Sequence, residues 1–178
     1  MEAEGTTTVA AAECTIMFTD LVGYTEHIAL HGDEVALTLL ATQDRIVRDT
    51  LPEGSRIVKE LGDGLMLVFD DPCDAVETGL ALQVRFEEEA ANADFPLWVR
   101  IGVHSGAPIP RGDDLIGNDV NIAARIVDLA APGEVITSEA TATQVGDDLE
   151  GIGFEPLGPA VIRGIPAPIP LYRAVFEG

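Results

Sequence analysis

Two aspartates stand where carboxylates can be made to meet. Asp20 closes the apolar run Cys14 to Phe18 (CTIMF) after Thr19, and Asp63 lies in Leu61-Gly62-Asp63-Gly64, a turn between two β-like runs. Adjacent strands would bring them together. Two carboxylates held close repel unless a cation shares them, and hard divalent ions with oxygen ligands are the natural partner; two such ions about 3.5 to 4 Å apart form the clamp used for phosphoryl transfer. Each aspartate alone has a plain structural use, Asp20 as a helix cap and Asp63 as a turn residue. The pair carries the chemistry.

A second group of polar residues lies downstream. Asn121 and Arg125 are four apart on a helical stretch and share one face, beside the apolar Val120, Ile122, Ala123 and Ile126. Either they are an exposed polar pair, or Asn121 orients a sugar while the fork-shaped Arg125 stabilises an anionic transition state. Lys59 precedes Asp63 by four residues and is either a solvated strand lysine paired with Glu60 or a ligand contact. Asp113 and Asp114 precede the helix as possible dipole complements. The strand-to-helix junction from Phe18 to Thr25 exposes N–H groups that suit a polyphosphate at Gly23, Tyr24 and Thr25, although its single glycine is not the GxxxxGK[ST] phosphate loop. His27 and His31 have the spacing of a helical metal pair but no third zinc ligand, so they read as surface histidines. His104 is not part of a GxSxG elbow and reads as a satisfied core or edge histidine.

The elements that must position these residues follow from the pattern. Thr25 to Asp49 has apolar residues at helical spacing and predicts one long helix stopped by Pro52 and Gly54; Arg56 to Lys59 and Leu65 to Phe69 predict a hairpin with Asp63 at its tip. Asp71-Pro72 opens a helix through Ala75 to Ala91, Leu97 to Val103 is a strand broken by the loop Ala107 to Pro110, and Asn118 to Leu129 is a third helix closed by Pro132-Gly133. Glu134 to Thr137 and Gly153 to Phe176 supply the remaining strands. The order is β, α, β-hairpin, α, β, α, β. It predicts an α/β (α+β) fold, a ferredoxin-like split βαβ core sheet covered by helices, with additional C-terminal strands.

Composition bounds the partners. The chain has 178 residues, 10 Lys+Arg against 31 Asp+Glu, a formal net charge of −21, and 47% hydrophobic residues. A mean hydropathy of +0.22 excludes a disordered chain, and a pI near 4.1 without a basic stripe argues against nucleic acid or an anionic membrane as partner. A small acidic segment, residues 1–13, reads as a disordered lead or linker before a folded domain spanning 14–178. It lacks the charged and apolar regions of a signal peptide, and no run is long enough to span a membrane, so a cytoplasmic location is expected. Cys14 and Cys73, in no CxxC spacing, are expected to be buried free thiols.

Six blocks in register resemble the catalytic homology domain of class III nucleotidyl cyclases: FTDLVGYT (Phe18 to Thr25), VKELGDG (Val58 to Gly64), VRIGVHSG (Val99 to Gly106), DLIGNDVNIAAR (Asp114 to Arg125), PGEV (Pro132 to Val135) and RG…PLYRAVF (Arg163 to Phe176). The resemblance implies that Asp20 and Asp63 hold two Mg²⁺ or Mn²⁺ ions with the Leu21 carbonyl, and that Lys59 and Asp114 read the base. It further implies that Asn121 orients the ribose, Arg125 stabilises the transition state and Arg100 contacts the β-phosphate. Arg163 stands where the family usually has a lysine facing the terminal phosphate. A Lys donor and an Asp acceptor complement adenine, which presents N1 as acceptor and N6 as donor, whereas guanylyl cyclases typically carry Glu at the lysine position. The resemblance therefore implies conversion of ATP to cyclic AMP and pyrophosphate by a homodimer with active sites shared between subunits, as in the family, and it accords with Lys59 and Asp63, which share a hairpin yet would address opposite ends of one nucleotide. A guanylyl cyclase and a non-catalytic nucleotide-sensing or dimerisation module are the alternatives.

Overall fold

Alternation along the first strand decides which side chain faces which layer. In the computed structural model, which describes residues 11–93 and 95–178, β1 (Cys14–Val22) buries Met17 and Leu21 on one face and Ile16 and Phe18 on the other. α1 (Tyr24–His31), α2 (Asp33–Thr50), β2 (Ser55–Leu61), β3 (Gly64–Phe69) and α3 (Pro72–Asn92) follow. Then come β4 (Trp98–Gly106), β5 (Ile109–Arg111), β6 (Asp114–Ile116), α4 (Asn118–Leu129), β7 (Val135–Ser138), α5 (Glu139–Val145), β8 (Ile152–Ala160) and β9 (Ile169–Phe176). Met17 and Leu21 join Leu39, Val47, Leu82 and Phe86 of α2 and α3, whereas Ile16 and Phe18 join Met66 and Val120, Ala123 and Val127 of α4. The sheet therefore lies between α2 and α3 on one side and α4 on the other. Asp20 has the parity of Ile16 and Phe18, so it belongs to the α4 face.

The main sheet has the order β2-β3-β1-β4-β7-β9-β8. Its first four strands pair antiparallel as a split βαβ unit, β4 and β7 pair in parallel across the α4 crossover, and β9 with β8 extends the edge. This is the mixed fold read from the pattern. Asp71 caps α3 by accepting the Cys73 N–H at 2.8 Å, with Pro72 at the first helical position.

Four expectations are corrected. The long first helix is two, because Gly32 takes φ 89° and ψ 174°, far from helical geometry, while the apolar periodicity runs past it. The loop after β4 is a small hairpin, Ile109–Arg111 paired with Asp114–Ile116. A seven-residue helix, α5, follows β7; its Ala, Thr and Gln residues carry little apolar period, but Ser138 caps it. Cys14 and Cys73 are free but only half-buried, and burial together with Asp71 pushes the Cys73 thiol up to about 11. Of the expected lead, residues 1–10 lie outside the described residues, and 11–13 are exposed without regular structure. Among the described residues, no helix is long and apolar enough to cross a membrane.

Candidate active site

Asp20 is paired in register with Gly64 on β3 and with Arg100 on β4, while Asp63 immediately precedes Gly64 in a two-residue turn. The two carboxylates thus meet at one end of the sheet. Gly64 permits it: a Cβ there would lie 2.6 Å from the Thr19 carbonyl oxygen, so any side chain would push the hairpin off β1. Burial, and next the charge of Asp20, raise the Asp63 carboxyl above its ordinary range. Arg100 donates from Nε to Asp20 Oδ2 at 3.1 Å, and its terminal nitrogen also binds that oxygen. Two carboxylates against one guanidinium leave an excess negative charge, and an all-oxygen donor pair suits magnesium or manganese. Among the described residues no group of three or more His, Cys, Asp or Glu forms such a cluster, so backbone, water and substrate oxygens must complete any coordination. The Leu21 side chain is buried in the core, which leaves only its carbonyl available.

A residue that pattern reading missed holds this turn. Gln43 is 2% exposed on the core face of α2 and donates from Nε2 to the Asp63 carbonyl at 3.0 Å. A glutamine at the helical spacing of Leu39, Ile46 and Val47 was the available signal. Gln43→Leu should keep the fold yet raise the Mn²⁺ concentration for half-maximal activity about three- to tenfold, read from a metal titration, because the loop loses a buried hydrogen bond worth ~1 kcal/mol. Asp63→Asn should raise stability. The raised carboxyl costs stability at neutral pH and is relieved as pH falls, so without metal the variant should melt at a higher temperature than the wild type. Mn²⁺ should then stabilise the wild type but not the variant in a thermal melt.

The second cluster lies on β2 and β6. Lys59 Nζ donates to both carboxylate oxygens of Asp114, at 2.8 and 2.9 Å, across 55 positions of sequence. That bond is the largest cause of the lowered Asp114 carboxyl. The β5–β6 hairpin that carries Asp114 is tied to β2 by Arg56, which donates to the Asp113 carbonyl at 3.0 Å. Lys59 thus pairs with Asp114 and not with Glu60, and both keep free hydrogen-bonding capacity, since the pair is more than a third exposed.

Asn121 and Arg125 lie on the outer face of α4, where Arg125 is 57% exposed and, among the described residues, forms an ion pair only with Asp128, at 3.7 Å. Their exposed face points away from their own sheet. Arg163 is exposed beside Ile162, which packs against Ile122 and Ile126, so it too is on the α4 side. Gly23 precedes α1 with φ 78° and, among the described residues, no side chain caps that helix, leaving the first-turn N–H groups of Tyr24 and Thr25 open to an anion. His27 and His31 stack at 4.2 Å on α1, and His104 is satisfied in the interior by Ser138 and Asp119.

A family model described as the adenylate and guanylate cyclase catalytic domain matches residues 7–172. The chain belongs to this family. It is similar to the pH-sensitive adenylate cyclase MT1302 of Mycobacterium tuberculosis, 33% identical over 165 residues, which cover 92% of this chain and 41% of that protein. The chain thus spans under half the length of that relative. A solved adenylate cyclase structure from Trypanosoma brucei, in its monomeric state, superposes with a TM-score of 0.79 at 26% identity, over 92% of this chain and 89% of that one. The guanylate cyclase domain of RhGC from Catenaria anguillulae superposes at 0.72 with 18% identity, over 94% and 98% of the two chains, which shows the shared fold alone. The cyclase domain of this chain therefore presents the carboxylate pair and the Lys59–Asp114 pair as separate clusters.

Proposed function

We propose that this cyclase domain converts ATP to cyclic AMP and pyrophosphate at sites shared by two copies of the chain. The observation that carries the reading is the Lys59–Asp114 pair, a donor and an acceptor held together with spare capacity for a base edge. Adenine satisfies that pattern, since Lys59 can donate to N1 and Asp114 can accept from the N6 amino group. Guanine presents the reverse and would leave polar groups unpaired.

Asp20 and Asp63 would hold magnesium or manganese, with the Leu21 carbonyl as a further oxygen. Bound there, the metal supplies activation of the ribose 3′-hydroxyl and charge screening of the triphosphate. The 3′-oxygen bonds to the α-phosphorus, the bond to the bridging oxygen of the β-phosphate breaks, and the hydroxyl proton is released as pyrophosphate leaves. Asn121 orients the ribose. Arg125 faces the charge that develops on the α-phosphoryl oxygens. Arg100 exchanges Asp20 for the β-phosphate, the α1 N–H groups at Gly23, Tyr24 and Thr25 receive phosphate oxygens, and Arg163 faces the terminal phosphate.

The exposed outer face of α4 supports the sharing of sites: Asn121 and Arg125 project outward, where a second copy could bring its own Asp20 and Asp63 to them. Incubation with ATP and Mn²⁺ should yield cyclic AMP and pyrophosphate in equal amounts, and Asp20→Ala should abolish both. Production of neither by the wild type would refute ATP as the substrate, and inactivity with GTP as well would favour a nucleotide-sensing module.

A further inference from the structure

β4 turns Arg100, Gly102, His104 and Gly106 toward α4, and the helix lies directly on the two glycines. A Cβ at Gly102 would sit 2.4 Å from the Val127 amide nitrogen, and one at Gly106 would sit 2.3 Å from the Asp119 carboxyl carbon. Contact this close leaves no slack, and His104 stands between the two points. His104 is 6% exposed, with Nδ1 2.7 Å from Ser138 Oγ and Nε2 2.9 Å from Asp119 Oδ1. The other Asp119 oxygen accepts the Ala107 N–H at 2.9 Å.

The Asp119 carboxylate can only accept, so Nε2–H donates to it, and in the neutral ring Nδ1 accepts from the Ser138 hydroxyl, whose oxygen also accepts the Thr141 N–H at the start of α5. Ser138 is wholly buried, so this Ser-His-Asp string offers no nucleophile to a substrate. What it does is mechanical. Asp119 occupies the first turn of α4, whose N-cap, Gly117, has no side chain to satisfy the orphan N–H groups and hold the terminus. Helix ends without such ties open first. The bonds from Asp119 to His104 and Ala107 tie this one, and Asn121 and Arg125 follow two and six residues later on the same rigid element.

We propose that His104 is a positioning residue: it locks the first turn of α4 to β4 and to the start of α5, and so sets where Asn121 and Arg125 stand. Its catalytic consequence rests on the cyclase reading above. A misplacement near 1 Å is enough to cost a large factor in rate, so His104→Phe, which keeps the ring volume and removes both bonds, should lower kcat about tenfold or more while KM for ATP changes less than about threefold. Amide hydrogen exchange in residues 118–129 should accelerate in this variant, with β1 unchanged. His104→Gln, which can still donate to Asp119 and accept from Ser138, should recover most of both.

Faster α4 exchange with undiminished kcat would overturn the proposal, as would unchanged α4 exchange or an absence of rescue by glutamine. If His104→Phe does not fold, Asp119→Asn is the deciding variant. It keeps the size but loses an acceptor, so wild-type exchange and kcat in it would also overturn the proposal. A wild-type protein that makes no cyclic nucleotide from ATP or GTP refutes the cyclase reading and with it the catalytic consequence, while α4 exchange in the same variants still decides whether His104 anchors the helix.

Discussion

Arg125→Ala should lower ATP turnover about a hundredfold or more, the usual loss when one preorganised charge is removed from a transition state. Asp63→Ala should be at least as inactive. Mixed in equal amounts, the two dead proteins should recover about a quarter of wild-type activity, because half the dimers are heterodimers and each of those keeps one intact site. That site takes Asp20, Asp63 and Arg100 from the Arg125→Ala chain and Lys59, Asp114, Asn121 and Arg125 from the Asp63→Ala chain. The other site in the same dimer carries both lesions. The expectation follows from the placement of Arg125, which is exposed on the outer face of α4 and, among the described residues, forms an ion pair only with Asp128. Steady-state cyclic AMP formation across a mixing series tests it; a flat, inactive series with heterodimers demonstrated by native mass spectrometry would mean that each chain works alone.

Lys59→Glu should have the second largest effect. In the wild type Lys59 holds both oxygens of Asp114, and its removal sets a new carboxylate beside an existing one in the base site. Two acceptors cannot complement adenine N1, and the like charges repel. kcat/KM for ATP should therefore fall about a hundredfold or more, the scale seen when a buried polar recognition site loses its partner. GTP should lose less, since guanine N1 and N2 are donors that can meet carboxylates. Side-by-side kinetics with both nucleotides check this; an equal loss for the two would remove Lys59 from base recognition.

How much could be read before the structure depended on what each segment's period recorded. The α4 boundaries, Asn118–Leu129, are legible because apolar residues recur at helical spacing up to the Pro132-Gly133 stop, and the Asp63 hairpin is legible because two β-like runs flank glycines. The break at Gly32 is not, because one glycine interrupts the backbone without interrupting the apolar stripe. The β5–β6 hairpin is invisible for a different reason: three-residue strands, one containing Pro110, show no alternation, yet this hairpin delivers Asp114 to Lys59. Gln43 was hidden by its own position, since a core-facing helix site reads as apolar packing until its amide is seen to reach Asp63. His104 could be recognised as satisfied, but its partners Ser138 and Asp119 lie on other elements and no local spacing names them. The same holds for Lys59 and Asp114, which only the six-block resemblance placed in one base site.

The net charge of −21 excludes a phosphate polymer as partner more readily than it excludes a nucleotide. Arg100 and Arg125 lie on the α4 face of the sheet and on α4 itself, and a metal ion at Asp20 and Asp63 would supply attraction that the overall field withholds. The most direct measurement is competition between ATP and GTP, supplied together at equal concentration with Mn²⁺, with both cyclic products quantified. The Lys59–Asp114 pair predicts cyclic AMP in excess over cyclic GMP by about tenfold or more. Equal or greater formation of cyclic GMP would contradict the assignment of ATP.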